Sequence, residues 1–305
     1  MRTEMMRVLE ELAESDPNLM LVTGDLGFGV LTRFSERFPR QFINAGVAEQ
    51  NMTGLAVGLA LEGKTVFTYS IGNFPTLRCL EQIRNDACYH RANVKIVSVG
   101  GGFTYGSLGI SHHATEDLAI LRSLPDITVV APGDSVEAAE ATRAVYGTEG
   151  TCYLRLGRGG EPRVHGAPID FRIGNAIRLF DGHRVAILST GGILGLARSV
   201  RERLTNSGCS TGLYSVHTLK PLDRGLIEDL ARRVDVIVTV EEHSEIGGLG
   251  GAVAEVIAQL PGLRAMLEIV GLRGCFSSVV GDQDYLRAVY GLTTDDIVAR
   301  VEGRL

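Results

Sequence analysis

The sequence has no C-x-x-C pair, no excess of basic residues and no long apolar run, and each absence excludes a class of protein. Its five cysteines (Cys79, Cys88, Cys152, Cys209 and Cys275) are scattered and odd in number. They fit neither a disulfide framework nor a zinc knuckle and read as reduced thiols of a cytoplasmic protein. A formal net charge of -6 offers no basic face for neutralising phosphates, so no nucleic-acid partner is expected. No stretch approaches the roughly 18 to 20 apolar residues of a membrane span, so no membrane partner is expected either. The opening MRTEMMRVLEEL is charged and helical in period, without the apolar core of a secretory signal. Internal repeats and low-complexity tracts are also missing.

What is present is the pattern of an α/β protein. With 305 residues, 45% apolar and 22% charged, the chain has a globular composition and room for two domains. Short apolar runs alternate with amphipathic or Ala-rich helical patterns, as parallel sheets covered by helices require. In the first series, strands are expected at 19–23, 41–44, 65–69, 94–99, 128–131 and 152–156. Helices are expected there at 3–14, 49–61, 76–90, 115–123 and 135–146. The Gly, Pro and Arg-rich passage GRGGEPRVHGAPIDFRIGNA has no sustained period and reads as a linker. HRVAILST, TGLYSVHT, DVIVTVEEH and AMLEIVGL then supply strands for a smaller α/β domain. The expected division is a first domain at 1–160, a linker at 161–180 and a second domain at 181–305.

In FINAGVAEQNMTGLAVGLALEG, Glu49 falls between a short strand and a nearly uncharged helix. The small residues of that helix, Ala48, Gly54, Ala56, Gly58 and Ala60, let another surface come close. A carboxyl group placed there is expected to be largely desolvated. Read alone, Glu49 is equally a first-turn glutamate favoured by the helix macrodipole. The block A-G-[VI]-A-E-Q-N-[MA]-x-G-x-A-x-G-x-A, running here from Ala45 to Ala60, resembles a segment of the transketolase and 1-deoxyxylulose-5-phosphate synthase family. The resemblance implies a pyrimidine-binding α/β domain for thiamine diphosphate, followed by a smaller α/β transketolase C-terminal domain. It also implies that Glu49 is catalytic, bonding N1′ of the cofactor's aminopyrimidine and so promoting loss of the proton from thiazolium C2. The carbon chemistry then belongs to the cofactor, and the protein contributes proton placement, orientation and a dry site.

Four further blocks resemble the same family in order. TGDLGFGVLTRF resembles G-x-A-D-L-x-x-S-x-L-T, which places Asp25 near the cofactor, although aspartate is also an ordinary turn residue. NFPTLRCLEQIRNDACY resembles the helix F-A-T-x-R-x-x-E-Q-I-R-N of split transketolases. Phe74 then becomes an aromatic wall on the aminopyrimidine, with Tyr69 and Ile71 nearby, both of which also suit plain core. Arg78 and Glu81, three residues apart, read as a local ion pair. GGFTYGSLGISHHATEDLAILRSLPDITVVAPGD resembles the family's histidine block. It puts His112 at the donor carbonyl or hydroxyl as a catalytic, proton-handling group, with His113 beside it as a substrate ligand. YLRLGRGGEP resembles Y-[VI]-R-L-[GS]-R, so that Arg158 grips a sugar phosphate with its planar fork. Arg2 is a candidate second phosphate ligand, or simply a frayed terminal arginine. In the second domain, STGGI, VHTLKPLD and VTVEEHSEIGGLGGAVAEV resemble the family's C-terminal domain, and the glycine-rich turn at 247–251 is a candidate anion site.

Nothing resembles the G-D-G unit with which the family binds Mg2+ and the cofactor's diphosphate. No metal ligand is therefore expected on this chain; Mg2+ is expected on a partner, the N-terminal transketolase subunit with its pyrophosphate domain, in an α2β2 heterotetramer. Ser107, Leu108 and Gly109 stand where the family has E-D-G, and His113 where it has glutamine. Gly100 replaces a phosphate-binding histidine, and Gly29 replaces its serine partner. The expected activity is transfer of a two-carbon ketol unit from a ketose or ketose phosphate to an aldehyde or unusual acceptor, only with the partner present. The alternatives are a 2-oxoacid dehydrogenase or acyloin-type β subunit, and a non-catalytic regulatory subunit.

Overall fold

Buried β-branched runs become the strands of two largely parallel sheets in the computed structural model, which describes residues 1–166, 168–262 and 265–305. The strands are β1 (Leu19–Thr23), β2 (Phe42–Asn44), β3 (Thr65–Ile71), β4 (Val94–Val99), β5 (Ile127–Val130), β6 (Thr151–Leu156), β7 (Ile177–Phe180), β8 (Val185–Thr190), β9 (Thr211–Ser215), β10 (Thr218–Lys220), β11 (Val236–Ser244) and β12 (Met266–Leu272). The first sheet has the order β10-β5-β6-β4-β3-β1-β2 and the second β12-β11-β8-β9-β7. Only the edge strands β10 and β7 run antiparallel among the described residues. Every residue of β1, β4, β6 and β8 is buried, as strands covered on both faces must be.

Helices Arg2–Ser15 and Ser135–Tyr146 cover one face of the first sheet with Met5, Leu9, Ala138 and Val145. The second of them is capped by Asp134, whose carboxylate accepts from the N–H groups of Val136 and Glu137. Such a cap contributes about 1 kcal/mol. Helix Glu49–Leu61 lays Met52, Ala56 and Val57 on the opposite face. Its outer face shows Asn51, Gly54, Gly58 and Leu61, a strip of low relief. The core on this side continues into the second sheet, through Leu188, Leu230 and Val253.

Four expectations change. The helix expected at 76–90 is broken into a 3-10 turn Leu77–Cys79, one α turn Leu80–Gln82 and a π segment Ile83–Cys88. Thr76 lies off the helical region and its hydroxyl bonds back to the Gly72 carbonyl at 3.2 Å, so the chain leaves β3 through a tight turn. Strand β7 begins inside the stretch read as linker. The run TGLYSVHT is divided, with β9 staying in the second sheet while β10 crosses to pair with β5 in the first. The turn at 247–251 is not an open anion site either. The Glu241 carboxylate accepts from the N–H groups of Leu249 and Gly250 at 2.7 and 2.8 Å, so the chain satisfies its own helix N-terminus. Among the described residues no helix is long and apolar enough to cross a membrane.

Candidate active site

Four neighbouring strands, β6, β4, β3 and β1, end on one edge of the first sheet, the edge where open α/β sheets bind ligands. Asp25, just after β1, has a positive φ of 58° and exchanges two hydrogen bonds with Asn44 at the end of β2. Its N–H donates to Asn44 Oδ1 at 2.9 Å, and Asn44 Nδ2 donates to Asp25 Oδ1 at 2.9 Å. Asn44 Oδ1 also accepts from the Gly46 N–H at 3.0 Å, so this one amide fixes the two turns leading into the helix of Glu49.

Glu49 is 4% exposed. Its Oε2 accepts from Arg78 Nη1 at 2.9 Å, whereas Oε1 has no hydrogen-bond partner among the described residues. Arg78 thus pairs across space with Glu49 and not with Glu81, which corrects the local reading. Gln50 Nε2 donates to the Arg78 carbonyl at 3.1 Å, and the Arg78 guanidinium lies 4.4 Å from the centroid of the Phe74 ring. The half-buried Phe74 ring meets His112 edge-on at 5.1 Å. Asn73 Nδ2 donates to the His113 carbonyl at 2.7 Å, tying the Phe74 turn to the histidine loop. Glu49, Arg78, Phe74 and His112 therefore form one continuous line.

His112 is held below the ordinary histidine range by partial burial and then by the neighbouring His113 and Arg78, so its imidazole is neutral at neutral pH. The Ser111 hydroxyl lies 3.0 Å from its Nδ1. His113 is placed differently. It is 1% exposed, its Nε2–H donates to the Gly106 carbonyl at 3.1 Å, and its ring meets Phe103 edge-on at 5.1 Å. It supports the loop from beneath, with its ring turned inward but within electrostatic reach of His112. The base of the loop is clamped by the second domain. The Phe103 N–H donates to Glu242 Oε1 at 2.5 Å, the Phe103 ring stacks on Tyr290 at 5.5 Å, and Gln283 Nε2 reaches Thr104 Oγ1 at 3.3 Å. Arg155, paired with Asp117, donates to the Ala114 carbonyl at 2.8 Å.

Beyond His112 the line continues through Tyr105, whose ring centroid is 6.3 Å from that of His112 and 5.7 Å from the Arg158 guanidinium carbon. Tyr69 is buried near Arg2. Burial pushes its hydroxyl up to about 12, and the Arg2 guanidinium pulls the other way. Arg2 Nε is buried without a hydrogen-bond partner. Ile71 ends β3 half-buried. Sequence reasoning overlooked Asn44, the role of Arg78, and Tyr105. Asn44 had a signal, since it directly precedes the block that carries Glu49.

The family model of the transketolase pyrimidine-binding domain matches residues 1–161, and that of the transketolase C-terminal domain matches residues 174–297. The chain belongs to the transketolase family. The 6-deoxy-6-sulfo-D-fructose transketolase subunit SqwH of Clostridium sp. is 36% identical over 292 residues, covering 95% of this chain and 90% of that subunit. One of the apulose-4-phosphate transketolase subunits of Phocaeicola vulgatus is 34% identical over 291 residues, covering 95% of this chain and 92% of that one. A solved split-gene transketolase, an inactive β4 tetramer, matches with a TM-score of 0.88 at 36% identity, covering 100% of this chain and 97% of that one.

Transketolase membership implies thiamine diphosphate, and the residues present fit its aminopyrimidine half. Glu49 keeps one carboxylate oxygen open while Arg78 holds the other, and Phe74 offers a half-buried ring face beside it. Among the described residues no three His, Cys, Asp or Glu side chains are grouped to hold a metal ion.

Proposed function

We propose that this chain is the pyrimidine-binding subunit of a two-chain transketolase that moves a two-carbon ketol unit from a ketose with an anionic terminus to an aldehyde acceptor. The observation that carries this reading is the open Oε1 of a buried Glu49, aligned through Arg78 and Phe74 with His112. Thiamine diphosphate, when bound, supplies carbanion-stabilising chemistry. Glu49 holds the aminopyrimidine through its free oxygen and keeps a proton at that ring, while Arg78 fixes the carboxyl group and Phe74 walls the ring from water. His112, neutral at neutral pH, exchanges a proton with a hydroxyl or carbonyl oxygen of the substrate. Arg158 and Arg2 meet the anionic end. Asp25 steadies the turn against the cofactor, while Tyr69 and Ile71 shape the floor at the end of β3. His113 acts on the substrate only through the loop it supports.

Support for the substrate class comes from the two relatives, whose named substrates carry a sulfonate and a phosphate. Leu108, 55% exposed where the family has an acidic residue, argues against an ordinary pentose phosphate. Mg2+ and the cofactor's diphosphate are assigned to an N-terminal partner subunit in an α2β2 assembly in the cytoplasm. The low-relief strip of helix Glu49–Leu61 and the exposed Phe28 and Val47 beside the site support such a partner.

The test is co-purification with the separately encoded thiamine-domain chain, followed by calorimetric titration of thiamine diphosphate and Mg2+ into each chain and into the mixture. Binding and ketol transfer only in the mixture support the reading. Tight cofactor binding by this chain alone, or CO2 release from pyruvate or another 2-oxoacid that lacks a 3-hydroxyl group, with no ketol transfer from any donor, overturns it.

A further inference from the structure

The geometry points to Tyr105 as the residue that sets which ketose the site accepts, a specificity role that rests on the transketolase reading above. Gly100, just after β4, has a φ of +102°, a conformation that side chains avoid, and a Cβ there would collide with Cδ2 and Cε2 of Tyr105. The Tyr105 ring therefore fills the volume that a side chain at position 100 would take, and that position stays glycine while it does. The ring is half-buried against the core under helix Arg2–Ser15, which fixes its place. It also neighbours both His112 and Arg158, at 6.3 and 5.7 Å. Its hydroxyl has no hydrogen-bond partner among the described residues, although the Tyr69 hydroxyl is within electrostatic reach.

A ketose that reacts at His112 and anchors its anionic end at Arg158 passes its middle carbons along this ring. An aromatic face packs against a C–H edge of the sugar, and the free phenol offers one donor to a mid-chain hydroxyl. A cationic side chain at position 100 would instead reward charge at any point within its reach. Tyr105 thus selects ketose phosphates or sulfonates by the shape and stereochemistry of the carbons between the two ends, while the arginines select the charge.

The experiment compares wild type, Tyr105→Phe and Tyr105→Ala in the complete complex with its partner chain, thiamine diphosphate and Mg2+. One readout is kcat/KM for D-fructose 6-phosphate and for 6-deoxy-6-sulfo-D-fructose, each divided by kcat/KM for hydroxypyruvate, a donor with no sugar chain. The other is the calorimetric Kd of D-sorbitol 6-phosphate, which has no carbonyl and cannot react. For Tyr105→Ala both the selectivity ratio and the sorbitol 6-phosphate affinity fall by about tenfold, mainly through KM in the first case. Tyr105→Phe gives a smaller loss of the same sign and keeps the test available should the alanine variant fold poorly, which melting temperature reports. Ratios and affinities within about twofold of wild type, or an equal loss with hydroxypyruvate and the ketoses, overturn the role. If the wild-type complex transfers no ketol unit even from hydroxypyruvate, the transketolase reading fails, and the sorbitol 6-phosphate titration still reads Tyr105.

Discussion

Each domain places a glutamate and a histidine at the carboxyl end of its parallel sheet, and the two pairs are treated in opposite ways. In the second domain Glu241 is fully buried, and each of its oxygens accepts from a backbone N–H of the following helix. His243 Nδ1–H donates to the Ser244 carbonyl at 2.8 Å, and Nε2 accepts from the Ala119 N–H at 3.3 Å, so both ring nitrogens are used. In the first domain Glu49 is nearly as buried but, among the described residues, keeps Oε1 without a hydrogen-bond partner, and His112 has only the neighbouring Ser111 hydroxyl at Nδ1. Both glutamates are buried, whereas His243 is wholly buried and His112 only partly so, and completeness of hydrogen bonding follows the same division. Glu49 Oε1 is not among the described polar atoms buried without a partner, so it opens onto solvent that a ligand can displace, whereas a saturated carboxylate is part of the scaffold.

The largest expected effect follows directly. Glu49→Gln in the assembled complex lowers kcat by roughly 10²- to 10⁴-fold, the range for a lost general acid–base group, while its melting temperature stays near that of wild type. Steady-state rates with hydroxypyruvate check this, and an unchanged kcat would sink the distinction between the two glutamates. Glu241→Ala is expected to do the reverse. It strands two helix N–H groups inside the protein and costs about 2–4 kcal/mol of stability in urea titrations, with far less effect on kcat of the folded enzyme. Loss of turnover in Glu241→Ala without loss of stability would place function in the second domain and break the comparison.

A smaller effect separates orientation from charge. Arg78 is about half-exposed in its pair with Glu49, so Arg78→Met changes stability by less than about 1 kcal/mol. Its expected cost is instead about tenfold in kcat, because Glu49 loses the partner that aims its free oxygen. Equal losses with Arg78→Lys and Arg78→Met would indicate that the planar stack on Phe74 matters more than the ion pair.

How much of this was legible in the sequence depends on range. Strands β1 and β4 and the helices Glu49–Leu61 and Ser135–Tyr146 fall at their expected bounds: the strands are short continuous apolar runs, Ser135–Tyr146 is amphipathic and capped by Asp134, and Glu49–Leu61 is a small-residue run. The family was also readable, since motif order carries it. The fate of the 76–90 helix was not: its start is set by a turn in which Thr76 bonds back to Gly72, and nothing in the sequence pattern marks its changes of winding. Nor was β10, whose short strand is paired only by the tertiary arrival of β5. His113 illustrates the same limit at the site. Adjacent histidines on a 3-10 turn point in different directions, and only the Gly106 carbonyl and Phe103 reveal which one turns inward. Arg78 was misread for an equivalent reason: sequence spacing offers Glu81, while the fold offers Glu49.

The same contrast between a satisfied and an open histidine predicts opposite responses to pH. His165 is buried beside helix Ser135–Tyr146, bonded through Nε2 to Glu137, while Asp134 Oδ2 accepts from the His165 N–H at 2.8 Å. Burial alone would lower its pKa, but the Glu137 hydrogen bond and charge, with Asp134, outweigh burial and raise it. A raised folded value means that the folded state binds the proton more tightly than the unfolded chain. The stabilisation is therefore complete below the ordinary histidine value and is lost as pH rises through the raised folded value. His112 is lowered instead, so its neutral form survives to more acidic pH than a free histidine's. Urea titrations from pH 6 to 8 should show stability falling with pH by an amount that His165→Gln removes. The acid limb of kcat/KM should meanwhile lie below pH 6.5, the ordinary histidine value. If His165→Gln leaves the stability slope intact, Glu137 is not paired with a charged imidazole. An acid limb above pH 6.5 would mean that His112 is not the titrating group, and the open histidine would lose its distinction from the closed ones.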